Sequence, residues 1–322
     1  MCRHVSIPVA FAPSCCWLHI CGVTQPARDA FPVRSQTDCI ALIGDVHSAW
    51  TPDDTLFFNA SQYPLLLVTG DLGGSRARDG LTVARSMAAL TRRTIVMPGN
   101  NDVREYAKIA AELTYRHARQ ELLGGTPGQG PRTCGYSTHV LKLGALELSI
   151  LAGRPFAMGG CELSFPDELE RNFGVASLEA SAERLCALVD EATTEHLVFF
   201  GHNGPFGLGS DPAAPWGRDF DPAAGDWGDQ DLREAIDYAV AHGRKVLAVL
   251  AGHMHWSLRS GGQRRWQLQK DGILYVNAAR VPRVFPHEGT LVHQHVALSF
   301  EEDGARAEEV LIPASRLSMA PE

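Results

Sequence analysis

Five short apolar runs in this chain end in the same way: each stops at a glycine, and the next residue is Asp, Asn or His. They are "CIALIGDVH" (39–47), "PLLLVTGD" (64–71), "TIVMPGNND" (94–102), "HLVFFGH" (196–202) and "KVLAVLAGHMH" (245–255). A short apolar run closed by a turn residue is the pattern of a buried strand. Helix-like stretches separate most of these runs, and such alternation argues for an α/β fold with a parallel sheet. In sheets of that kind ligands bind just beyond the carboxyl ends of the strands. All five polar loops would meet there.

The intervening stretches support this order. "TPDDTLFFNASQ" (51–62) carries helix-start chemistry, with Thr51 as the cap, Pro52 at the first helical position, and Asp53 and Asp54 in the first turn. Leu81, Ala84, Met87, Ala88 and Leu90 fall near helical spacing within 79–91. A longer helix is expected from Val103 to the Gly124-Gly125 pair, and two more over 177–191 and 229–242. "THVLKLGALELSILAG" (138–153) reads as two strands about Gly144, and the tail holds two Asp-Gly turns between strand-like runs, at Asp271-Gly272 and Asp303-Gly304. The segment 203–228 is rich in Gly, Pro, Asp and Trp and has little helix or strand signal. A stretch of that kind is either functional or disordered. Trp216, Arg218, Asp219 and Trp227 within it could form a substrate lid or pin a surface loop.

Composition narrows the partners. The chain has 322 residues, a net charge of -8 and a pI of about 5.9, so neither nucleic acid nor an anionic membrane is expected as a partner. An acidic protein that handles phosphate needs cations at its site. Eight cysteines form no C-x-x-C pair, which fits free thiols in a reducing compartment and a cytoplasmic protein. Residues 1–37 read differently, with no acid before Asp29 and an apolar stretch (5–22) broken by Pro8 and Pro13. That stretch is too short and too interrupted to span a membrane. It is taken as an N-terminal extension, disordered or a targeting segment for an organelle or for export, ahead of a folded domain at 38–322.

The loop residues form an ordered set: Asp45 and His47, Asp71, Asn100-Asn101-Asp102, His202, and His253 and His255. Each is ordinary alone, but five in order, each behind a strand, are not accidental. At these positions the sequence resembles the calcineurin-like metallophosphoesterases, whose blocks run D-x-H, G-D, G-N-H-[DE], H and G-H-x-H. The stretches "GRPFAMGG" (153–160), "GRDFDPAAGDWGD" (217–229) and "NAARVPR" (277–283) further resemble a DevT-like branch of cyanobacteria and plants.

The resemblance implies an α/β four-layer sandwich of two mixed β-sheets flanked by helices. It also implies a dinuclear site in which Asp45, His47 and His255 hold one metal, Asn100, His202 and His253 hold the second, and Asp71 bridges them. Carboxylate, imidazole and amide ligands suit Mn, Fe or Zn, and a bridging carboxylate lets two dications sit about 3.5–4 Å apart. A hydroxide bridging them would attack the phosphoester. The substrate is then a phosphorylated small molecule or a phosphoprotein.

One position departs from the family pattern. Asn101 stands where the family has the histidine that serves the leaving group, and an amide can donate a hydrogen bond but not a proton. Phosphodiester or pyrophosphate substrates are therefore expected ahead of monoesters. A phosphoprotein (Ser/Thr) phosphatase and a non-catalytic binding module are the alternatives. His139 or His287 could supply the proton from another loop. Asp102 would either orient Asn101 or, the more ordinary role, cap the helix behind it. His293 and His295 share one face of a strand, more ordinarily a solvent-exposed face than a third metal site.

Overall fold

The structure is a computed structural model and describes residues 36–314 apart from 75, 76, 125–127, 222 and 224. Every described residue falls in one compact unit, Arg34–Glu322. The expected N-terminal extension lies almost wholly outside the described residues.

Two mixed sheets carry the fold. The first holds β1 (Cys39–Ile43), β2 (Leu66–Val68), β3 (Thr94–Val96) and β4 (Pro131–Thr133) in parallel, with β12 (Thr290–Glu301) antiparallel to β1. β11 (Val284–His287) and β13 (Gly304–Pro313) each pair antiparallel with β12. The second sheet holds β6 (Leu146–Ala152), β7 (His196–Phe200), β8 (Lys245–Ala251) and β10 (Ile273–Asn277) in parallel, edged by antiparallel β5 (Ser137–Leu143) and β9 (Gln267–Lys270).

Side-chain alternation builds the layers. Ile40 and Leu42 of β1 face Leu148, Ile150, Val198 and Phe200 of the second sheet, in a core between the sheets. Cys39, Ala41 and Ile43 point the other way, onto Phe58 of α1 (Pro52–Ala60), Val83 and Met87 of α2 (Ala77–Met87), and Ile109 and Leu113 of α3 (Tyr106–Leu122). On the far side, Leu197 and Phe199 of β7 pack on Leu185 and Leu188 of α5 (Leu178–Glu191) and on Leu232 and Ile236 of α6 (Gln230–Ala241). The order helix, sheet, sheet, helix is thus the four-layer α/β sandwich expected. In β8 the register shifts by one residue at Leu247, so Leu247 and Ala248 both join the inter-sheet core.

Local chemistry explains several boundaries. Thr51 accepts from the Asp54 backbone N–H while Asp54 accepts from that of Thr51, a reciprocal capping box ahead of α1. The two Asp-Gly turns join β9 to β10 and β12 to β13. A helix not anticipated from periodicity, α4 (Pro166–Phe173), opens on Pro166 and closes on Gly174 in the left-handed region. Its eight residues are too few for a clear periodic signal. The short strand β4, in the Gly/Pro-rich stretch, was likewise not anticipated.

His293 and His295 do not lie on a solvent-exposed face. Both are buried: His293 Nδ1 sits 2.9 Å from Asp54 Oδ1, and His295 Nε2 sits 3.0 Å from the Tyr63 hydroxyl. α1 covers that face of β12, which the strand's own sequence does not reveal. Arg283 completes the buried group, 3.0 Å from Asp54 Oδ1. The carboxyl of Asp54 is held down at about 2: burial alone would raise it, and Arg283 and His293 outweigh burial.

Among the described residues no helix is long and apolar enough to cross a membrane. The described cysteines, Cys39, Cys134, Cys161 and Cys186, are free thiols.

Candidate metal centre

Because β1, β2 and β3 run parallel, Asp45, His47, Asp71 and Asn100 leave the first sheet at one end. β7 and β8, parallel in the second sheet, deliver His202, His253 and His255. Two clusters result. Asp45, His47 and His255 form one and Asp71, His202 and His253 the other, each with donor atoms within 4.8 Å of one another. Asn100 joins the second, with Oδ1 3.0 Å from His202 Nε2. Asp71 links the two: Oδ2 lies 3.5 Å from His47 Nε2 and Oδ1 lies 3.6 Å from His202 Nε2.

The donor set fits divalent cations. Atoms bound to a common metal at about 2.0–2.2 Å lie roughly 3–3.5 Å apart. Here His47 Nε2 and His255 Nε2 face each other at 3.1 Å. His202 Nδ1 donates to the Thr69 carbonyl at 2.6 Å, so the neutral ring presents a bare Nε2 toward Asn100 and Asp71, as a metal ligand must. Thr69 also donates its hydroxyl to Asp45 Oδ1 at 2.8 Å. The strand-end loops approach so closely at the cradle that no side chain fits at two glycines. A Cβ on Gly99 would stand 2.2 Å from Asp71 Oδ1, and one on Gly252 would stand 2.2 Å from Asp45 Oδ1.

Backbone strain concentrates here. His47, Asp71 and His253 have φ of 43°, 45° and 68°, a region that residues with a side chain seldom occupy. Electrostatics is strained too. His253 is pushed down to about 3, by burial first and by His202 second, and burial also lowers His255. Burial likewise opposes the charged form of His202, but Asp71 and Asp45 outweigh it and raise its pKa. The carboxylates thus set up a field that favours a cation between the imidazoles.

The sequence profile of the calcineurin-like phosphoesterases matches residues 40–257, more than half of the chain. The chain belongs to this family. A Thermus thermophilus protein designated TT1561 shares the fold, with a TM-score of 0.51 and 10% identity over 84% of this chain and 98% of that one. The phosphopantetheinyl hydrolase of Mycobacterium tuberculosis overlaps more loosely, with a TM-score of 0.41 and 15% identity over 74% of this chain and 88% of that one. No curated protein sequence matches this chain significantly. The DevT-like resemblance rests on the three quoted stretches alone.

Those stretches brace the candidate centre. Arg154 of the first pairs with Asp229 of the second at 2.7 Å, and with Asp231 at 2.8 Å. Asn277 of the third donates to the carbonyls of Pro215 and Met254, at 2.8 and 2.7 Å, and so fastens the segment 203–228 to the Gly-His-Met-His turn. Within that segment Trp216 is buried and donates Nε1–H to the Gly252 carbonyl at 3.0 Å. It pins the loop. Asp219 and Phe220 reach the cleft itself, a space of about 280 Å³ that also borders His47, Asp71, Asn100, Asn101, His253, Met254, His255, Ser257 and Arg259.

Asn101 donates twice to Asp71, from its backbone N–H to Oδ1 at 2.8 Å and from its side-chain amide to Oδ2 at 2.7 Å. Asp102 does not cap the helix behind it by its side chain. Its oxygens instead accept from the Leu72 and Gly99 backbone N–H groups, at 3.0 and 2.9 Å, stapling the Asp71 loop to the Asn100 loop. Only 1% exposed, its carboxyl is pushed up to about 7 by burial and by the charge of Asp71. Neither His139 nor His287 borders the cleft. Thr69, Phe220 and Arg259 were not apparent from the sequence. A threonine directly before Gly-Asp was the one local signal.

Proposed function

We propose that this phosphoesterase hydrolyses phosphoesters with two divalent cations, Mn, Fe or Zn, held by Asp45, His47 and His255 and by Asn100, His202 and His253, with Asp71 shared. The observation that carries the reading is the reach of Asp71, one oxygen toward each imidazole cluster. When bound, the cations would neutralise phosphoryl oxygens and supply a water nucleophile at neutral pH.

The chain's own residues arrange the rest. Thr69 fixes the tautomer of His202 and the orientation of Asp45. Asn101 holds Asp71 by two hydrogen bonds. In this reading Asp102 is a positioning residue, since both its oxygens are engaged with backbone and no surface is left for substrate. Asn101 lines the cleft and can contact the substrate by hydrogen bond only.

The imidazoles lining the cleft are all candidate ligands, which leaves no evident acid for a poor leaving group. Pyrophosphates, whose phosphate leaving group departs without a proton, and phosphodiesters with an acidic leaving group are therefore favoured over alkyl monoesters. A cytoplasmic setting belongs to the same proposal, supported by the free thiols. A panel of alkyl and aryl monoesters, diesters and pyrophosphates assayed with added Mn²⁺ tests it. Turnover of a diester or a pyrophosphate above the alkyl monoesters is expected, and no turnover of any phosphoester would remove the enzymatic reading.

A further inference from the structure

Arg259 stands at the mouth of the cleft and is the only Lys or Arg among the described residues that border it. No carboxylate among the described residues pairs with its guanidinium. Its neighbour Asp219 is already committed: Oδ1 pairs with Arg264 Nη2 at 3.2 Å, and Oδ2 accepts from the Arg259 backbone N–H at 2.9 Å. The guanidinium lies over the Phe220 ring, 5.4 Å from its centroid. Phe220 is itself steadied by Arg218, 4.5 Å from the centroid, and by Trp227, edge-on at 6.0 Å.

The platform beneath is anchored. Arg264 Nη1 donates to the carbonyls of Pro212, Ala214 and Gly217, at 2.6, 2.8 and 2.6 Å. An unpaired guanidinium resting on an aromatic face keeps its N–H edges free for a planar fork of oxygens. It is placed where the outer part of a substrate would lie if its scissile phosphorus were at the imidazole clusters.

We infer that Arg259, backed by Phe220, binds a second phosphate of the substrate, so that the bond broken is a phosphoanhydride. This rests on the proposed phosphoester hydrolysis and narrows it. A phosphomonoester leaving group, with a second ionisation at about pH 6, departs without a proton at neutral pH, which matches a cleft whose Asn101 amide can donate a hydrogen bond but not a proton. The balance is simple. The oxygen of water bonds to the attacked phosphorus, and the anhydride P–O bond breaks. The bridging oxygen leaves with the electron pair as phosphate, and the protons of water pass to solvent or to the product phosphates.

The test compares wild type with Arg259→Gln and Arg259→Lys in the metal-loaded protein. Two readouts are needed: kcat/KM for pyrophosphate against p-nitrophenyl phosphate, and the calorimetric affinity for methylenediphosphonate, which is not hydrolysed. Losing a charged hydrogen-bond pair should cost Arg259→Gln about 10- to 100-fold more on pyrophosphate than on the aryl ester. It should weaken diphosphonate binding similarly, with Arg259→Lys between. Equal losses on both substrates, or unchanged diphosphonate affinity, would overturn the assignment. Wild type that hydrolyses the aryl ester but not pyrophosphate would overturn it too, and would leave the broader phosphoesterase reading standing.

Discussion

Asn101 grips Asp71 by both oxygens, its backbone N–H on Oδ1 at 2.8 Å and its amide on Oδ2 at 2.7 Å. The residue that replaces the family's histidine is thus attached to the carboxylate proposed to join the two metals. Its side chain orders that carboxylate and has no proton to give. With no free acid among the described residues at the cleft, rates should fall steeply as the leaving group becomes more basic. Asn101→His should accelerate poor leaving groups by about 10- to 100-fold, the low end of what a positioned acid supplies, and change good ones little. A leaving-group series on both proteins checks this. Parallel lines would mean that a proton is already supplied or not needed.

Thr69 serves both clusters at once, through its hydroxyl to Asp45 and its carbonyl to His202. Thr69→Val keeps the shape and the carbonyl but removes the hydroxyl. Support of this kind is worth about 10- to 100-fold in metal affinity. Titration of the apo-protein should show the weakening chiefly at the Asp45 cluster. Unchanged affinity at both clusters would mean that Asp45 needs no such support.

The candidate ligand positions were legible in the sequence for a physical reason. At Gly99 and Gly252 the chain passes so near Asp71 and Asp45 that a Cβ would overlap their oxygens, so the glycine before the ligand is required by the site itself. The two-sheet sandwich was legible only through the family resemblance: β1 and β7 are apolar on both faces, which signals strands covered on both sides but not what covers them. What stayed hidden depends on distant partners. The burial of His293 comes from Asp54, 239 positions away in sequence. Asp102 carries the local mark of a helix cap, and only the fold brings the Leu72 amide to it. Arg259 gains its meaning from Phe220, which nothing in their separate sequence contexts links.

The buried Asp54–Arg283–His293 group makes a prediction about stability. Removing one partner of a buried ion pair strands the other, so Asp54→Ala should destabilise the fold by about 3–5 kcal/mol at neutral pH. The Asp54 carboxyl is depressed from 3.8 to about 2. Its contribution is therefore complete above pH 3.8 and is lost as pH falls toward 2. Denaturation of wild type and Asp54→Ala should show a gap that narrows over that window. A gap constant from pH 7 to pH 2 would show that the charge contributes nothing.

The proposed dinuclear centre depends most directly on Asp71, whose two oxygens face His47 and His202. Metal content per chain, by mass spectrometry of the purified protein and of Asp71→Asn, is the deciding measurement. Close to two divalent ions are expected in wild type, and the loss of both in the variant, because a neutral amide cannot hold two cations together. A variant that keeps one ion at full occupancy would contradict the shared role of Asp71, and a wild-type protein that binds none under metal-replete conditions would contradict the metal centre itself.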